Sequence, residues 1–121
     1  MDLIIGGRYQ GKLAYARQAF GIADEEIFCC TEDGEPDFSR RCITGLERYL
    51  RACRRDGRAP GLEHLREDAV VICTDIFCGL VPMNEEERAW REFAGRTVTG
   101  LAARAETVTR IFCGLPQRLK G

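Results

Sequence analysis

Seven residues near the start of the chain have the types and spacing to hold a phosphate. Gly6-Gly7-Arg8-Tyr9-Gln10-Gly11-Lys12 reads Gly-x-x-x-x-Gly-Lys and follows the apolar run Leu3-Ile4-Ile5. A strand that turns sharply into a helix can aim its backbone N–H groups at an anion. Glycines at Gly6, Gly7 and Gly11 allow the close approach and the unusual dihedrals this needs. The start of the next helix adds the positive end of its dipole. Lys12 supplies a point charge for the β- and γ-phosphates of ATP or GTP. Gly6 through Leu13, with Arg8, Tyr9 and Gln10 between the glycines, is the expected nucleotide-binding segment. The alternative is a glycine-rich strand-to-helix turn with no ligand.

Leu13 stands where such a loop carries Ser or Thr, whose hydroxyl helps to hold Mg²⁺. Magnesium demands near-octahedral oxygen coordination, and a leucine cannot supply it. A metal here is therefore expected to be weak or to rest mainly on acids. Asp75, which ends the run Ala69-Val70-Val71-Ile72-Cys73-Thr74, is the first candidate; Glu32 and Asp33 after the second strand are the others. Four apolar residues followed by Asp resemble a metal-holding strand end. A cap or turn role for Asp75 is the competing reading. Lys12 and Asp75 are the expected catalytic pair.

These residues need elements to position them. Leu3-Ile4-Ile5 suits a buried parallel strand. Lys12 to Phe20 places Leu13, Ala16 and Phe20 on one helical face, with Gly21 as C-cap. Residues 26–31 read as a second strand, followed by turn chemistry in "EDGEPD". Residues 38–56 read as a helix whose apolar face holds Ile43, Leu46, Leu50 and Cys53, with arginines as its wet face. Residues 69–75 form the strongest strand. Asn84 caps the longest helix, whose stripe runs Trp90, Phe93, Ala94, Val98, Leu101, Ala102, interrupted by Gly95 and Gly100. Residues 107–113 read as a last strand. The order βαβαβαβ predicts an α/β, three-layer fold of the P-loop NTPase type, with a mostly parallel sheet of about four strands, in one domain over 1–121. Three helices are few for two sheet faces, so the open surface is expected to be buried in a homo-oligomer.

The totals exclude several classes. Formal net charge is −1, so no global field recruits nucleic acid. No apolar run approaches a membrane span, and the N-terminal apolar stretch is too short for a signal peptide; the expected compartment is the cytoplasm. The seven cysteines are odd in number and form no Cys-x-x-Cys pair, so free thiols are expected. "IFCC" (27–30) and "IFCGL" (76–80 and 111–115) recur at uneven spacing, and a thiol-based sensor is a third, lesser reading.

The opening "IIGGRYQGKLAYA" and the later "VVICTDIFCGLVPMNEEERAWREFAGRTVTGLAARAETV" resemble the bifunctional adenosylcobinamide kinase / adenosylcobinamide-phosphate guanylyltransferase family of cobalamin synthesis. Leu80-Val81-Pro82, Ala94-Gly95-Arg96 and Leu101-Ala102 are the most specific matches. The resemblance implies a P-loop fold, nucleotide and Mg²⁺ as cofactors, a corrinoid substrate and a trimer. The chain departs from the family in three ways. Leu13 replaces Ser, Asp75-Ile76 stand where the family has Asn-Glu, and Cys53-Arg54 of "CRRDGR" occupy the place of the guanylylated His. His64 is the only histidine, so phosphoryl transfer is expected over guanylyl transfer. The competing reading is a non-catalytic binding or assembly subunit.

Overall fold

The structure, a computed structural model, describes residues 1–76 and 84–121. Cys78, most of the "IFCGL" at 76–80 and Leu80-Val81-Pro82 lie outside the described residues. Strand β1 (Asp2–Gly6) leads through the glycine-rich loop into α1 (Lys12–Phe20), which ends at Gly21 in the left-handed region, φ 63°. Then come β2 (Ile27–Cys29), β3 (Cys42–Thr44), α2 (Leu46–Asp56), β4 (Val70–Thr74), α3 (Glu85–Arg104), β5 (Thr107–Phe112) and β6 (Leu115–Lys120). The sheet order is β2-β3-β4-β1-β5-β6, parallel except for the antiparallel β5–β6 hairpin.

The α/β class and the parallel sheet agree with the sequence reading, but the sheet has six strands, not about four. The predicted helix over 38–56 is the first miss. Its start, Cys42-Ile43-Thr44, is a strand pairing β2 and β4, and Gly45 at φ 74° separates it from the helix. Ile43 lies where either element would bury an apolar side chain, so periodicity could not decide. The β2–β3 connection is consequently loop rather than helix. The second miss is β6. Cys113 and Gly114 both have positive φ, 51° and 75°, as a two-residue hairpin turn requires. Pro116 is tolerated there because β6 is an edge strand.

Alternate strand residues divide the core by face. Leu3, Val71, Cys73 and Val108 pack with α2 and α3; Ile4, Val70, Ile72 and Ile111 pack with α1. The Asn84 side chain accepts from the Glu87 amide at 2.7 Å, so the predicted cap starts α3. β1 is central, paired with β4 on one side and β5 on the other. The chain leaves β1 into α1 on one face and enters α3, after β4, on the opposite face. Such a divergence between neighbouring parallel strands opens a crevice at their carboxyl ends.

Candidate functional site

The crevice begins at the glycine-rich loop. Gly6 closes β1 and Lys12 opens α1. A Cβ on Gly6 would stand 2.5 Å from the Ile111 carbonyl oxygen, so this glycine is needed for β1 to approach β5. That is a different reason from the ligand approach inferred from sequence. Gly11 has φ 90° and Tyr9 φ 60°, so the loop curls through the left-handed region twice. Gln10 straps it to the β5–β6 turn: its Oε1 accepts from the Cys113 amide at 2.5 Å and its carbonyl from the Gly114 amide at 2.9 Å. Gly11 offers no side-chain cap, which leaves the first amides of α1 for another acceptor.

Lys12 folds back over the loop, its Nζ donating to the Gly7 carbonyl at 2.6 Å. Burial holds its pKa below the ordinary lysine value, and the charges of Glu47 and Cys73 oppose that shift. Glu47, from the first turn of α2, is buried; its Oε1 accepts from the Thr74 amide at 2.9 Å. The Glu47 carbonyl accepts from the Trp90 indole at 2.9 Å, and Arg51 lies over that ring at 4.7 Å. Arg51 also pairs with Glu32 at 3.5 Å. Two adjoining cavities of about 370 and 450 Å³ share Tyr9, Lys12, Glu47, Arg48 and Thr74 in their walls. The first also holds Arg8 and Arg51, so four cations converge on it.

The sequence-predicted residues fall as follows. Gly11, Lys12, Leu13, Tyr9 and Gln10 line the second cavity together, and Arg8 lines the first. Leu13 packs half-buried against the core under α1. Glu32 lies on the cleft wall, whereas Asp33 belongs to a local turn with Thr31. Asp75 follows Thr74, its amide donating to the Gly6 carbonyl at 2.8 Å; Thr74 rather than Asp75 faces both cavities. His64 is exposed in the connection that enters β4, at the amino-terminal end of the parallel strands, whereas the loop lies at the carboxyl end of β1. Cys53 is buried in the core. Burial raises the Cys30 thiol to about 12 and Cys42 to about 11, so neither is a ready nucleophile. Cys29 and Cys113 are exposed.

Sequence reasoning missed Glu47, Arg48, Arg51 and Trp90. The sequence reading puts the arginines of this segment on a solvated helix face and Trp90 in a core stripe, and gives Glu47 no role. The only available signal was a carboxylate two residues after a glycine that could start a helix.

Among the described residues, no three His, Cys, Asp or Glu side chains gather as a protein-only metal cage. Mg²⁺ does not require one, because it is commonly bound through one or two carboxylates with phosphates and water. The oxygens of Glu47, Thr74, Asp75 and Glu32 at this end of the sheet fit that chemistry.

A layered parallel sheet with a glycine-rich strand-to-helix loop at its switch point defines a three-layer, P-loop-type α/β protein. Residues 52–119 match the family model for cobinamide kinase / cobinamide phosphate guanyltransferase. The match spans more than half of the chain, and the chain belongs to that family. It runs from within α2 to β6 and does not include the loop at Gly6–Lys12 or Glu47. A comparison with curated proteins gives no match. Among the described residues, no helix is long and apolar enough to cross a membrane.

Proposed function

We propose that the chain binds ATP or GTP in the crevice above β1 and β4 and, as an active enzyme, transfers a phosphoryl group to a corrinoid acceptor. One observation carries the reading: the loop from Gly6 to Lys12 curls between a central strand and a helix start and opens onto a cleft lined by Arg8, Lys12, Arg48 and Arg51. The loop amides and the α1 terminus would hold the terminal phosphates, and Lys12 would exchange the Gly7 carbonyl for a phosphate oxygen. The arginines, in a partly enclosed site, add charge that favours the transferring group. Mg²⁺, held by phosphate oxygens with carboxylates at this end of the sheet, would supply further charge neutralisation there. Guanylyl transfer is disfavoured because the sole histidine lies in the connection that enters β4, at the amino-terminal end of the parallel strands, whereas the loop lies at their carboxyl end.

We place the protein in the cytoplasm as a single-domain homo-oligomer, a trimer by family resemblance. The second reading, a non-catalytic binding or assembly subunit, is favoured by Leu13 alone. A thermal-shift panel of nucleoside triphosphates, with Mg²⁺ and with EDTA, separates the two. An enzyme is stabilised by ATP or GTP and more so with metal; no shift by any nucleotide would leave the assembly reading.

A further inference from the structure

We propose that Glu47 is the carboxylate that receives the divalent cation of the bound nucleotide, with Thr74 beside it supplying the hydroxyl that Leu13 lacks. This rests on the nucleotide-binding reading of the cleft and adds to it the residues that hold the metal.

The argument begins with burial. Glu47 is only 8% exposed, which is unusual for a carboxylate with no close ion pair among the described residues. One of its oxygens accepts the Thr74 amide. That amide lies beyond the β3–β4 pairing, which ends at Ile43–Val71. A glutamine would satisfy it equally well, so the hydrogen bond explains an acceptor and not a charge. The nearest lysine, Lys12, directs its Nζ at the Gly7 carbonyl. A negative group in the wall of an anion-binding cleft would repel a triphosphate unless a cation arrives with it. A magnesium–nucleotide complex brings that cation. Glu47 and Thr74 line both cavities together with Lys12, whereas Asp75 lines neither. A carboxylate and a hydroxyl are hard oxygen donors of the kind Mg²⁺ takes alongside phosphate.

The charge makes the test change sign. Glu47→Gln keeps the acceptor for Thr74 and removes the charge. Calorimetric titration with ATP and with GTP, each in Mg²⁺ and in EDTA, compares it with the wild type. In EDTA the variant is expected to bind several-fold tighter, because a repulsion is gone. In Mg²⁺ the gain that metal gives the wild type is expected to vanish. A merely structural Glu47 would weaken both conditions alike, or neither, and either result overturns the proposal. So does a magnesium gain in the variant equal to that of the wild type. Failure of the wild type to bind any triphosphate would overturn the nucleotide reading and this proposal together; binding by the wild type with an unchanged magnesium gain in Glu47→Gln sinks Glu47 alone. If the variant does not fold, the wild type decides. Mn²⁺ added with nucleotide should broaden the Thr74 amide resonance strongly, and a sharp Thr74 signal in the bound complex overturns the assignment.

Discussion

Lys12 and Leu13 are neighbours with opposite consequences. Lys12 gives the loop its charge, and Leu13 removes one oxygen from the place where a metal would sit. The loop was legible in the sequence because its spacing is local: three glycines and a lysine within seven residues, after an apolar run. Glu47, Arg48, Arg51 and Trp90 were not legible as a wall, because strand order alone brings them to Lys12. Asp75 illustrates the same limit. Its position at a strand end was readable, but the face it presents depends on the register of β4 against β1. Leu13→Ser should strengthen Mg²⁺-dependent nucleotide binding more than metal-free binding, since the added hydroxyl serves the cation and not the phosphates. The substitution also removes a half-buried apolar side chain, at a cost of roughly 1–3 kcal/mol in stability. Titration of both proteins with Mg²⁺ and with EDTA checks this, and equal gains would place the defect elsewhere.

At the scale of elements, α1 and α3 were readable because each carries its own stop or start, and β4 because its unbroken apolar run suits a strand buried on both faces. Gly21 ends α1, and Asn84 begins α3. β3 and β6 were hidden for different reasons. Three residues, Cys42 to Thr44, are too few to establish a period of two, and they gain stability only by pairing with β2 and β4. β6 is exposed along its whole length, so it has no apolar pattern to read. Of the two glycines inside α3, Gly95 lines a groove beside β1. Nothing in the structure explains Gly100, whose added Cβ would meet no atom within 4 Å. Gly100→Ala should therefore stabilise the fold by about 0.5–1 kcal/mol, through helix propensity and a less flexible unfolded chain. An upward shift of the urea midpoint tests it. A clear loss of stability would mean that another molecule approaches α3 at that point.

Across the whole molecule, α1 alone serves one face of the six-stranded sheet, and α2 and α3 serve the other. α3 does not close that second face. A largely apolar groove of about 850 Å³ runs beside it, lined by Ile5, Gly95, Val98 and Ala102 among others. Phe112 alternates with Val108 along β5 and so faces the same side, and Leu115 pairs with it across the hairpin; they are 60% and 69% exposed. Adjacent apolar surface of this kind, on a sheet that cannot remain wet, is expected to be covered by a second copy of the chain. Light scattering at micromolar concentration should give a multiple of 13.6 kDa; a stable monomer would show that the groove and hairpin stay open to water. The central claim is that the loop at Gly6–Lys12 holds a nucleoside triphosphate, and its most direct test is calorimetric titration of the wild type and Lys12→Ala with ATP and GTP in Mg²⁺. The account predicts saturable binding by the wild type to at least one of them and a loss of at least about tenfold in the variant, the size of one charge-assisted phosphate contact. Equal affinity in the two proteins would contradict it.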